Sequence, residues 1–172
     1  SRAEITQQVG NIDECIGVLK QNDMVVFDSN DEPIGAYPFT MEQREHKVTV
    51  NGHILHCMCA LDALAVSPMF ELETSIHSRC HVSKKPVSIH QHEHDILDTE
   101  NSTDVFFGIS WNSAANNCCA TSLCTEMVFL KGEQLADQWQ AEDAENREIF
   151  NLPDAIEFAA GFFVPLMTRQ TA

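Results

Sequence analysis

The run Cys57-Met-Cys-Ala-Leu-Asp-Ala-Leu-Ala-Val66 constrains this chain more than any other segment. Every position but Asp62 is apolar, so a helix built from it has no face suited to water. Ten residues are too few to span a bilayer. The rest of the chain therefore has to cover the run on all sides. Ala and Leu favour helix, and Pro68 is expected to stop it, because proline lacks the donor a helix interior needs. The expectation is a short, fully buried helix. Cys59 and Asp62, three apart, then share a face on which their side chains can meet. A carboxylate buried without a partner is costly. Either Asp62 begins the helix and faces water, favoured there by the helix dipole, or it lies beside a thiol in a dry pocket. Burial there raises its pKa until it can give or take a proton near neutrality.

The remaining 162 residues of the 172 must form that cover. Ile12, Ile16 and Leu19 recur at helical spacing within residues 1–22. Met24–Phe27 and Ile34–Tyr37 read as strands around Asp28-Ser-Asn-Asp31. A helix followed by a hairpin is winged-helix-like. A second hairpin, Lys47–Val50 and His53–His56, is joined by Asn51-Gly52, which accepts the positive φ a tight turn needs. Thr74–Cys80 and Val87–Ile96 read as strands around Lys84-Lys-Pro86. A polar loop at 95–104 precedes β-rich runs Val105–Trp111 and Leu123–Leu130. A helix is expected through Leu135 and Trp139, and a last one from Asp154 to Met167, opened by Pro153. This order predicts an α+β protein: a mixed, largely antiparallel β core with packed helices. Residues 1–40 form a short winged-helix-like N-terminal part and 41–172 the main domain.

Charge narrows the function. With 26 acidic residues against 10 basic ones the formal charge is -16. Such a chain repels phosphate backbones and anionic lipid surfaces, which argues against nucleic-acid and membrane partners. No leader pattern stands at the start, so a cytoplasmic location is expected. Ser1 without a preceding Met leaves room for an upstream piece.

The seven cysteines, at 15, 57, 59, 80, 118, 119 and 124, are expected as free thiols in a reducing compartment. No CxxC pair suggests a zinc ribbon. His90, His92 and His94 fall on one strand face and could hold zinc or copper, but interleaved acids and the flanking polar loop favour an exposed edge. The side chains of Cys118 and Cys119 are expected to point apart on an extended chain.

At Cys59-Ala-Leu-Asp62, taken with Cys124, the chain resembles the organomercurial (alkylmercury) lyase family. MCALDALAVSPMF, SRCHVSKKPV and SLCTEMVFLKGEQLADQW occur in that family's order and spacing, and the likeness extends over about residues 24–167. The resemblance implies a winged-helix-like start and an α+β core. It also implies an active site of two cysteines and one aspartate, matching Cys59, Cys124 and Asp62, with Cys80 as a structural cysteine. The N-terminal helical part is shorter than the family's usual one. Cys57, Cys118 and Cys119 lie outside the family's catalytic set, which leaves open which thiols first take up or later release the metal.

The implied chemistry is protonolysis of a carbon–mercury bond, giving a hydrocarbon and Hg(II). Mercury is soft and prefers thiolates. Two of them enrich the metal in electrons and make the bound carbon basic enough to protonate. Cys59 and Cys124 would be the mercury ligands, with Asp62 as a further candidate ligand. Asp62 would take a thiol proton and return it to carbon. No organic cofactor is expected, and external thiols would be needed for turnover. The product would pass to mercuric reductase or cytosolic thiols. The competing reading is a non-catalytic Hg(II) or Cu(I) carrier of the same fold, which has no use for a carboxyl beside its thiols. A DNA-binding regulator is disfavoured by the charge.

Overall fold

The computed structural model describes residues 11–30, 32–113 and 118–167. The expected helix over 1–22 lies partly outside these residues. Its described part, α1 (Ile12–Gln21), is capped by Asn11, whose side chain accepts the Asp13 and Glu14 N–H groups.

Strands β1 (Val25–Phe27), β2 (Pro33–Ala36) and β3 (Phe39–Thr40) follow, then β4 (Lys47–Val50) and β5 (His53–Cys57). Asn51 and Gly52 take φ values of 49° and 78° between β4 and β5, as their turn chemistry requires. After helix α2 (Ala60–Phe70) come β6 (Glu73–Arg79), β7 (Pro86–His92) and the short β8 (Asp95–Ile96). These strands make one antiparallel eight-stranded sheet in the order β1-β2-β3-β5-β4-β6-β7-β8. Because β3 pairs with β5, the strands before and after residue 40 share this sheet.

A single-turn helix α3 (Thr99–Ser102) interrupts the expected polar loop and leads into β9 (Val105–Ser110). Together β9, β10 (Met127–Lys131) and β11 (Arg147–Asn151) form a three-stranded antiparallel sheet with β9 central. Helices α4 (Glu133–Ala141) and α5 (Leu152–Met167) complete the chain. A Cβ on Gly108 would meet Trp139 of α4 at 2.8 Å, so the absent side chain lets the indole lie against β9.

Helix α2 is buried from Ala60 through Pro68, as its all-round apolar character demands. It packs against α5, against β4–β7 of the large sheet and against β10 of the small one.

Two boundaries differ from the sequence expectation around α2. The helix starts at Ala60 because Cys57 still belongs to β5. It also runs through Pro68 to Phe70. Proline at 68 leaves the carbonyl of Leu64 without its helical donor, and the buried Gln91 side chain supplies one, Nε2 donating to Leu64 O at 3.0 Å. A donor from β7 thus lets the helix continue.

Two further elements differ. The run Leu123–Leu130 is a 3-10 turn (Leu123–Glu126) followed by β10. Strand β11 was not expected; its residues Arg-Glu-Ile-Phe-Asn alternate weakly and carry few strand formers.

Candidate functional site

Cys59 sits where β5 gives way to α2, as the helix N-cap with extended backbone (φ -147°, ψ -178°). Its Sγ accepts the Asp62 N–H at 3.4 Å. The expected Cys59–Asp62 proximity is therefore that of a cap and the third residue of the first turn, rather than of two residues on one helical face. Sulfur at a helix N-terminus lies at the positive end of the dipole, which favours the thiolate once a metal displaces the proton. On the other side the Cys59 thiol donates to the Met127 thioether at 3.6 Å.

Cys124 arrives from the 3-10 turn Leu123–Glu126, just before β10. The packing of β10 on α2 brings it to Cys59 and Asp62. One ligand atom from each of Cys59, Asp62 and Cys124 lies within 4.8 Å of the others. Among the described residues this is the one group of three or more His, Cys, Asp and Glu side chains placed to hold a single ion. The three residues are 1%, 0% and 5% exposed.

Both carboxylate oxygens of Asp62 are buried without a hydrogen-bond partner. Burial pushes the Asp62 carboxyl up to about 7, contact with Cys59 holding it back only in part. Cys59 is pushed up to about 12, chiefly by burial and despite its contact with Cys124. For Cys124, the hydrogen bond with Cys119 favours the thiolate, but contact with Cys59, burial and the Cys59 and Asp62 charges outweigh it and raise the thiol. The metal-free site therefore holds thiols and a carboxyl poised near neutrality.

A cavity of about 590 Å³ opens over these three groups. Its walls are mainly apolar, with Met24, Met69, Trp111, Phe158 and Phe162 among them. An apolar substituent thus fits beside the buried acid while water is displaced.

Of the other residues raised by the sequence, Cys80 follows β6 and lies outside the cavity wall. Its buried sulfur accepts the N–H groups of Ser83 at 3.4 Å and Lys131 at 3.3 Å. Burial opposes its ionisation, but these hydrogen bonds prevail and hold its pKa below the ordinary value. Cys57 is buried in β5, its pKa raised by burial and by Asp62. His90 pairs with Glu73 and His94 with Glu157, each at 2.7 Å and largely exposed.

Three further residues adjoin the site: Cys119, which the sequence left without an assigned role, and Asp23 and Tyr37, which it did not single out. Cys119 lines the cavity, its Sγ 3.5 Å from that of Cys124, while Cys118 is not among the wall residues. Asp23, also in the wall, accepts the Cys119 N–H at 2.7 Å and the Tyr37 hydroxyl at 3.4 Å. The spacing of Cys119 and Cys124 was visible, but it acquires meaning only through the two 3-10 turns at Cys119–Thr121 and Leu123–Glu126. Asp23 and Tyr37 reach the site by tertiary packing, for which no local signal exists.

The profile described as MerB, alkylmercury lyase, matches residues 39–164. The chain belongs to the alkylmercury lyase family. Relatives named alkylmercury lyase from Bacillus cereus and Clostridium butyricum are each 25% identical over 146 residues, which is 85% of this chain. The match spans 65% of each relative's length, just under two thirds. A solved structure described as the mercury-bound form of MerB2 superposes with a TM-score of 0.78, covering 98% of this chain and 82% of that one. At 18% identity that likeness is one of fold, and it agrees with the α+β class.

Proposed function

We propose that the protein is an organomercurial lyase, cleaving the carbon–mercury bond of alkyl or aryl mercury by protonolysis to a hydrocarbon and Hg(II). The observation that carries this reading is Asp62: a carboxyl with no exposed surface and no partner, beside two thiols and facing an apolar cavity. Burying such a group without a partner is costly, and a role in proton transfer accounts for bearing that cost. Names of the relatives point the same way.

In this reading Cys59 and Cys124 hold the mercury. The first sulfur displaces the ligand that the organomercurial brings, a small thiolate, which leaves carrying that sulfur's proton; as the second sulfur binds the metal, Asp62 accepts its proton. With two thiolates on mercury the bound carbon becomes basic, and Asp62 returns the proton to it. A group acting as base and then acid works best with a pKa near the working pH, and burial raises Asp62 toward that range. The hydrocarbon leaves through the apolar cavity, and Hg(II) stays on the two sulfurs. Mercury is substrate and product, and no organic cofactor takes part. Hg(II) then passes to small cytosolic thiols or to a mercuric reductase, a hand-over that suits a protein working in the cytoplasm. No helix among the described residues is long and apolar enough to cross a membrane.

The test is phenylmercury with excess small thiol, followed by measurement of benzene. Catalytic release supports the lyase. Stoichiometric mercury uptake with no benzene would instead identify a soft-metal carrier.

A further inference from the structure

The Cys59–Cys124 pair poses a problem for turnover. Both sulfurs are almost wholly shielded, Met127 covers one side of Cys59, and Hg(II) prefers to keep two thiolates. Mercury leaves such a site by associative exchange, in which an incoming sulfur binds before an old one departs. An external thiol has to reach the buried metal to begin this. Cys119 stands closer. It is only partly buried, it lines the cavity, and its sulfur touches that of Cys124 at 3.5 Å. Asp23 fixes its backbone through the 2.7 Å hydrogen bond from the Cys119 N–H. The unpartnered, fully buried Asp62 marks the same space as one built to receive a ligand.

We infer that Cys119 is the exit ligand of this site: it takes Hg(II) over from Cys59, leaving the ion on Cys119 and Cys124, where a small external thiol can reach it. The inference rests on the lyase reading for the source of the Hg(II), and on geometry alone for the transfer. A Cys119 Sγ–Hg bond forms and the Cys59 Sγ–Hg bond breaks. The Cys119 proton passes by way of the Asp62 carboxylate to Cys59, which is restored as a thiol. Mercury remains Hg(II) throughout and no electron is gained or lost. Metal in contact with a thiol favours its ionisation, which releases Cys119 for the exchange.

Two measurements on full-length protein test this. In the first, Hg(II)-loaded protein is mixed with dithiothreitol, and mercury leaving the chain is followed in time. Cys119→Ser and Cys119→Ala should each slow the transfer by about tenfold or more, since a positioned sulfur is replaced by one that must diffuse in. Cys118→Ser should transfer at the parent rate. In the second, phenylmercury is given at one equivalent and then in excess with thiol. The Cys119 variants should lose much more of the steady-state benzene release than of the first turnover. Hg(II) transfer at the parent rate in both Cys119 variants, with melting unchanged, would overturn the inference. So would loss of Hg(II) uptake, which would make Cys119 a primary ligand. A parent protein that releases no benzene would sink the lyase reading, while the transfer measurement would still decide the role of Cys119.

Discussion

Asp62 differs from an ordinary helix-start aspartate because the first turn of α2 points into the protein. Two consequences can be measured. Asn at this position keeps the size but cannot carry the proton. Asp62→Asn should therefore still take up Hg(II), while carbon–mercury cleavage falls by about 10²–10⁴-fold, the usual worth of a positioned acid. Cys59→Ala and Cys124→Ser should lose cleavage and tight mercury binding together. Cleavage at the parent rate in Asp62→Asn would show that the proton comes from another group. The second consequence concerns stability of the metal-free protein. The folded-state pKa is about 7 against 3.8 for the unfolded chain, so between these values the native state binds more protons than the unfolded one. Stability from this group is full below about pH 4, declines as pH rises toward 7 and is constant above. At 1.36 kcal/mol per unit the full cost is about 4 kcal/mol. Relative to the parent, Asp62→Asn should gain in melting temperature as pH goes from 4 to 8. A pH-independent difference would mean that Asp62 is not buried as a neutral acid.

At the scale of elements, two side chains hold the site's supports in place. Gln91 donates to Leu64 O where Pro68 cannot, so Gln91→Leu should leave that carbonyl without a donor. The cost is about 1–3 kcal/mol, readable as a lower urea midpoint; an unchanged midpoint would mean the proline is accommodated by other means. Cys80 ties the β6–β7 turn to β10, the strand that carries Cys124 into the site, through the Ser83 and Lys131 N–H groups. Cys80→Ala should lower the melting temperature more than it lowers benzene release per folded molecule. Unchanged melting with lost activity would place Cys80 in the chemistry instead. These two residues also illustrate what the sequence could and could not disclose. Strong local signals were legible: the apolar run of α2, Asn51-Gly52, and the strands on either side of Lys84-Lys-Pro86. So was the trio Cys59, Asp62 and Cys124, through its likeness to a family. Pro68 was misread because its rescue comes from a different strand. The 3-10 turn at Cys124 was hidden in an apolar run, and β11 pairs with β9 despite a sequence of low strand preference. Cys119 could be given no role from the sequence because its partner sulfur is set by how two short turns stack.

Over the whole molecule, the large sheet separates the cavity from the histidine run. Its β1 edge lies beside Asp23 and Met24 of the cavity wall, whereas β7 and β8, which follow each other in the chain and carry or flank His90, His92 and His94, form the opposite edge. Two of these imidazoles are already engaged, His90 with Glu73 and His94 with Glu157, and the third is exposed. Both engaged rings make surface hydrogen bonds to exposed carboxylates. Exposed pairs of this kind contribute about 0–1 kcal/mol each. The His94–Glu157 pair reaches toward the site, because Glu157 precedes Phe158 of the cavity wall on α5. That link anchors the solvent side of a helix whose inner face is already packed on α2. Replacing all three histidines with Gln should therefore leave benzene release within about twofold of the parent, with a small drop in melting temperature. The same substitutions should leave mercury bound per chain unchanged, and adding zinc or a chelator to the parent should not alter its rate. A large loss of release in a triple variant that melts normally would show that the far edge of the sheet holds a second metal on which the chemistry depends.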